Sequence, residues 1–151
     1  MKRYFIVNEF FGIRLYDSVN KIETYYNLKE AYEIKKKYDG KYNYIDNKRD
    51  KQISAPLKIS MNLTKKCNLR CLQCFSNSGV CSKNELTTEE IYKLFDDMKD
   101  NGTFFICLGG GEPFTRLDLF DILEYGKKKA ISCFDCFKQL VDNKRKNFKA
   151  K

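Results

Sequence analysis

Leu57-Lys58-Ile59-Ser60-Met61-Asn62-Leu63 runs directly into Thr64-Lys65-Lys66-Cys67-Asn68-Leu69-Arg70-Cys71-Leu72-Gln73-Cys74, and the reading of this stretch decides the fold. In its first half Leu57, Ile59, Met61 and Leu63 alternate with Lys58, Ser60 and Asn62, the period of a β-strand. Its second half sets three cysteines at C-x3-C-x2-C spacing in a loop at the strand's carboxyl end. Further on, Thr87 and Glu90 form a Thr-x-x-Glu capping box, and Ile91, Leu94, Phe95 and Met98 make one apolar helical stripe that stops at Asn101-Gly102. Residues 103–108 are almost continuously apolar, the pattern of a strand covered on both faces, and Gly109-Gly110-Gly111 breaks the run. Leu119, Phe120, Ile122 and Leu123 fit a second helix that leads to a third strand near Ala130. Strand, loop and helix in repetition predict parallel pairing with right-handed crossovers, and functional loops at the carboxyl ends of the strands. The cysteine loop and the glycine loop both fall there.

Three soft thiolates on one loop can hold three corners of an iron–sulfur cube and leave one iron open to a further ligand. A closed structural zinc site takes four protein ligands, usually offered as two pairs, and Cys81 is the residue that could complete such a set here. In Gly110-Gly111-Glu112-Pro113 the glycines permit close backbone approach, main-chain groups can hydrogen-bond a zwitterion, and a carboxylate can help hold an ammonium group. Read alone, the same four residues also suit an ordinary strand-to-helix turn with Glu112 as a surface carboxylate. Cys107, inside the apolar run, reads as a buried inert thiol. Cys133 and Cys136 have C-x2-C spacing suited to metal or redox exchange, but no second pair accompanies them. Histidine is absent from the chain, which removes the usual zinc ligand and the usual general base.

Together, the cysteine spacing and the Gly110-Gly111-Glu112-Pro113 loop resemble the signature of the radical S-adenosylmethionine (radical SAM) enzymes, over about residues 57–123. The resemblance implies that Cys67, Cys71 and Cys74 ligate a [4Fe-4S] cluster and that Gly110, Gly111, Glu112 and Pro113 bind the methionyl amine of S-adenosylmethionine. It further implies an electron donor and reductive cleavage of that cofactor to a 5′-deoxyadenosyl radical. Gln73 stands where many family members carry an aromatic residue or histidine, and Phe75 follows the third cysteine, where it could cover the cluster or cofactor. The implied fold is α/β, a partial (β/α) barrel of the radical SAM type with about three strand–helix units. Because the family barrel has more units than that, the expectation is a truncated or frame-shifted product of a longer enzyme. Whether the chain is itself catalytic stays open, the alternative being a non-catalytic cluster- or zinc-binding remnant or a partner-binding module.

The 151 residues suffice for one ordinary domain with a substantial core. Residues 1–53 read as a small leading module and linker, 54–131 as the amino-terminal part of the radical SAM core, and 132–151 as a lysine-rich tail. In the module, Tyr4-Phe5-Ile6-Val7 and Ile13-Arg14-Leu15-Tyr16 predict a hairpin about Gly12. Asn27 with Glu30 predicts a capped helix carried by Leu28, Ala31, Ile34 and Tyr38, and the polar residues 42–52 read as linker. Such a module either packs on the core or docks a peptide strand at its edge by β-augmentation, and its place ahead of the cluster strand resembles the layout of peptide maturases. The net charge of +9 is assigned to solvated faces such as Lys35-Lys36-Lys37 and to the tail rather than to nucleic-acid binding. An acidic peptide partner suits the same charge. With no signal-peptide pattern and no long apolar run, the expected location is cytoplasmic, away from membranes.

Overall fold

A computed structural model describes residues 2–47 and 51–135. Strands β1 (Tyr4–Glu9) and β2 (Gly12–Asp17) form the expected antiparallel hairpin, with Glu9 opposite Gly12. Gly12 sits at φ +147°, and a Cβ there would collide with the Tyr26 carbonyl. A third strand, β3 (Ile22–Asn27), pairs antiparallel with β2 and passes straight into α1 (Leu28–Lys37). The capping box closes as its spacing predicts: Asn27 Oδ1 accepts from the amides of Lys29 and Glu30, and the Glu30 carboxylate accepts from the Asn27 amide.

Residues 42–52 do not form a linker throughout. Tyr42–Ile45 is strand β4, parallel to β1, so the sheet order is β3-β2-β1-β4 and the expected hairpin-plus-helix is a four-stranded sheet with a helix. Neither added strand carries a strong pattern, because β3 is a largely exposed edge and β4 is four residues long. Pairing with the buried β1–β2 hairpin holds them in place.

The second sheet is built from β5 (Lys58–Thr64), α2 (Thr88–Asp100), β6 (Phe105–Gly110), a 3-10 turn (Pro113–Thr115), α3 (Leu119–Lys128) and β7 (Ser132–Asp135). All pairing is parallel, in the order β5-β6-β7, which gives the α/β partial barrel. The helices lie on one face, where Ile91, Phe95 and Ile122 pack on Leu63, Ile106 and Leu108. Phe95 and Ile106 are fully buried, each worth about 1.5–3 kcal/mol of apolar transfer. The opposite face is not covered to the same degree, which corrects the expectation of a strand buried on both sides. Cys107 points to that face and is half-buried rather than inert in the core. The expected tail also begins too early at residue 132, since Ser132–Asp135 pairs with β6. Cys136 and the rest of the lysine-rich ending lie outside the described residues.

Sheet one packs beneath sheet two, at the amino ends of β6 and β7. The Tyr16 ring stacks on Phe104 with centroids 4.3 Å apart, and its hydroxyl donates to the Ala130 carbonyl at 3.0 Å. Arg14 is fully buried and donates to Glu9 (2.7 Å), Glu23 (2.6 Å), Ser54 (2.8 Å) and the Gly102 carbonyl (3.0 Å). One guanidinium thus ties β1, β2, β3, the segment before β5 and the α2–β6 connection together. The leading module therefore packs on the core, at the end of the strands remote from the cysteine loop.

Candidate cofactor site

At the carboxyl end of β5 the pairing with β6 slips: Asn62 is opposite Gly109, but Thr64, not Leu63, is opposite Gly110. Such a bulge bends the strand and re-aims the chain beyond it. The re-aimed segment, Thr64-Lys65-Lys66, is zipped to the glycine loop: the Gly111 amide donates to the Thr64 carbonyl (2.7 Å) and the Glu112 amide to the Lys66 carbonyl (2.9 Å), one residue before Cys67. Gly110 holds φ +110°, where a Cβ would collide with the Thr64 carbonyl, and a Cβ on Gly111 would collide with the carbonyl of Lys66. Two glycines are needed because two backbones cross here without room for a methyl group. Farther out, the Ser76 hydroxyl donates to the Gly110 carbonyl at 3.0 Å.

Glu112 is only 8% exposed, which overturns its alternative reading as a surface carboxylate. Its Oε1 accepts from the Phe114 amide at 3.1 Å and starts the 3-10 turn, with Pro113 at its first position. Oε2 has no hydrogen-bond donor among the described residues. A recessed carboxylate with one oxygen available, beside a glycine backbone, fits the ammonium group of an amino-acid-like ligand.

The cysteine loop is closed at its base by Cys67 N to the Gly79 carbonyl (3.0 Å) and Gly79 N to the Lys65 carbonyl (2.8 Å), and has no helix or strand between. Cys67 is half-buried, Cys71 and Cys74 are exposed, and all three are free thiols. Hydrogen bonds from the Ser78 amide and then the Ser76 hydroxyl hold the Cys74 thiol below the ordinary thiol range. Among the described residues no three cysteine or acidic side chains are gathered closely enough to hold a metal ion. The structure thus brings the two motifs together and leaves the three sulfurs on an ungathered loop. As a donor set, three free thiols on a loop anchored at its base fit an iron–sulfur cluster. Cys81 differs in its surroundings: it is exposed, and Glu85 beside it pushes its thiol up. The Glu85 carboxylate is itself held down to about 2, first by the Lys65 amide.

Gln73 and Phe75 are exposed, Phe75 completely. Cys133 packs on the helix side of the core. Arg116 is a residue the sequence reading passed over. It donates to the carbonyls of Leu63 and Leu86, both at 3.0 Å, and pairs with Asp118 at 2.6 Å, strapping the end of β5 to the starts of α2 and α3. The Arg-x-Asp spacing just ahead of a helix was the only local signal for it.

The family profile described as the Radical SAM superfamily matches residues 61–147. Mycofactocin maturase MftC of Mycolicibacterium smegmatis is 33% identical over 76 residues, covering 50% of this chain and 19% of that protein. The AdoMet-dependent heme synthase of Methanosarcina barkeri is 43% identical over 75 residues, covering 48% and 21%. The chain thus spans about a fifth of the length of these relatives. Among solved structures, Streptococcus suis SuiB bound to S-adenosylmethionine superposes with a TM-score of 0.64 at 19% identity, covering 89% of this chain and 40% of that one. SuiB bound to its precursor peptide SuiA gives 0.62 at 17% identity, covering 89% and 41%. At that identity the likeness is one of fold. No helix among the described residues is long and apolar enough to cross a membrane.

Proposed function

The chain belongs to the radical SAM superfamily, and from that premise we propose that it binds a [4Fe-4S] cluster through Cys67, Cys71 and Cys74, and S-adenosylmethionine against Gly110, Gly111, Glu112 and Pro113. The observation that carries this reading is the backbone zipper: Gly111 and Glu112 bond to Thr64 and Lys66, so the glycine loop lies against the root of the cysteine loop. When bound, the reduced cluster supplies the electron that cleaves S-adenosylmethionine to a 5′-deoxyadenosyl radical. The chain's own residues have the supporting tasks. Glu112 Oε2 accepts from the cofactor ammonium, the glycine backbone permits close approach, and Arg116 keeps the end of β5 aligned with the turn that bears Glu112.

A peptide is the substrate class this reading favours. The fold match to SuiB, a protein solved with a precursor peptide, covers 89% of the chain and so includes the leading module, and the mycofactocin maturase is among the relatives by sequence. The outer edge of β3 has no strand partner among the described residues, and an extended peptide can add to such an edge through its main chain. An external electron donor and a cytoplasmic location belong to the same proposal.

Anaerobic reconstitution with iron and sulfide tests it. The expected product is brown, carries about four irons per chain as a cubane requires, and shows an electron paramagnetic resonance signal that changes when S-adenosylmethionine is added. Alanine at any one of Cys67, Cys71 or Cys74 lowers the iron content, while Cys81→Ala leaves it intact. A colourless protein with a single zinc lost in Cys81→Ala refutes the reading.

A further inference from the structure

We propose that Asn62 is a cofactor-binding residue, its carboxamide hydrogen-bonding an oxygen-bearing group of S-adenosylmethionine held against the glycine loop. The inference rests on the function proposed above and adds a contact on a different strand from the glycine loop. Alternation along β5 turns Ile59, Met61 and Leu63 toward the helices, and Ser60 and Asn62 to the opposite face of the sheet. Asn62 is the last residue on that face before the bulge.

Its neighbours on β6 leave it uncovered. Directly opposite stands Gly109, where even an added Cβ would lie 4.0 Å from the Asn62 Oδ1, and a Cβ on Gly110 would lie 3.1 Å from the Asn62 Cβ. A ligand resting on Gly110 and Glu112 therefore passes within reach of this carboxamide. Other polar side chains around the site are engaged: Thr64 and Ser76 with backbone groups, Thr115 with the carbonyls of Lys66 and Glu112, Arg116 with two carbonyls and Asp118. The Asn62 carboxamide has no partner among the described residues, which leaves two donors and an acceptor available. Strand propensity does not account for it, since asparagine is depleted in strands. An uncharged group also suits the place, because a carboxylate there would repel both thiolates and the carboxylate of the cofactor.

The test uses the full chain reconstituted anaerobically, with Asn62→Ala, Asn62→Asp and, as a same-face control two residues away, Ser60→Ala. Iron per chain and far-ultraviolet circular dichroism report cluster and fold; calorimetric titration with S-adenosylmethionine and the cluster's paramagnetic signal report the contact. The expected result is wild-type iron and fold in all variants, affinity for S-adenosylmethionine weakened about tenfold in Asn62→Ala, and no change in Ser60→Ala. Asn62→Asp keeps the shape but loses the donors, and weakens binding at least as much. Wild-type affinity in Asn62→Ala overturns the assignment and leaves the proposed function standing. A wild-type protein that takes up no cluster, or a cluster-loaded one that does not bind S-adenosylmethionine, overturns both.

Discussion

Adding one methyl group at Gly111 should separate the two loops of the site. The Cβ of Gly111→Ala would be driven into the carbonyl of Lys66 and the carbonyl carbon of Lys65, all of it backbone that no side-chain rotation can move aside. Overpacking of this kind costs about 1–3 kcal/mol. Relief requires the Lys65-Lys66 segment to withdraw, which breaks Gly111 N to the Thr64 carbonyl (2.7 Å) and Glu112 N to the Lys66 carbonyl (2.9 Å). Each such bond contributes about 0.5–1.5 kcal/mol net. Those bonds are lost on withdrawal in the wild type and the variant alike, so the clash itself sets the shift: the zipped arrangement should lose about 1–3 kcal/mol relative to the withdrawn one, about five- to 150-fold in population. Amide hydrogen exchange measures this directly: protection at residues 111 and 112 should fall by that factor, while the α2 interior, held by Ile91 and Phe95, keeps its protection. Since the moved segment leads into Cys67, iron uptake should fall with it. Unchanged protection at both amides would refute the claim that close backbone crossing holds the motifs together.

Removing the Arg14 guanidinium by Arg14→Met leaves Glu9 buried with, among the described residues, only Ser54 and Asn47 as partners, so chemical denaturation should show a loss of about 3–5 kcal/mol, partly recovered in Glu9→Gln/Arg14→Met. A loss below about 1 kcal/mol would refute the anchoring role of this network. Asp118 is held down to about 2 by Arg116 beside it, below the unfolded value near 4. Its contribution is therefore complete above about pH 4 and lost as the pH falls toward 2, so the stability gap between the wild type and Asp118→Asn should narrow over that window in urea unfolding. A gap independent of pH would count against the pairing.

Much of the core was legible in the sequence because its signals are local. The alternation of residues 57–63, the Thr87/Glu90 and Asn27/Glu30 capping boxes and the helical stripe through Ile91 and Phe95 each operate within one or two turns of chain, and each element formed where its pattern stands. The resemblance at Cys67, Cys71, Cys74 and residues 110–113 points to the superfamily without any tertiary information. β3 and β4 stayed hidden because a short or exposed strand has little pattern of its own and is specified by the partner it pairs with, whereas the third core strand expected near Ala130 is β7, Ser132–Asp135.

What the sequence determined by itself is therefore the order of strands and helices in the core and the place of the two motif loops at the carboxyl ends of β5 and β6, since periodicity and caps depend only on neighbours along the chain. Tertiary structure alone decided that Glu112 is recessed rather than on the surface, that Arg14 and Arg116 act as clamps, that Cys107 lies off the helix-covered face, and that the leading sheet packs beneath the strands, at the end away from the site. Each of these depends on residues far apart in the chain meeting in space, and burial and hydrogen bonding are properties of that meeting rather than of the local sequence.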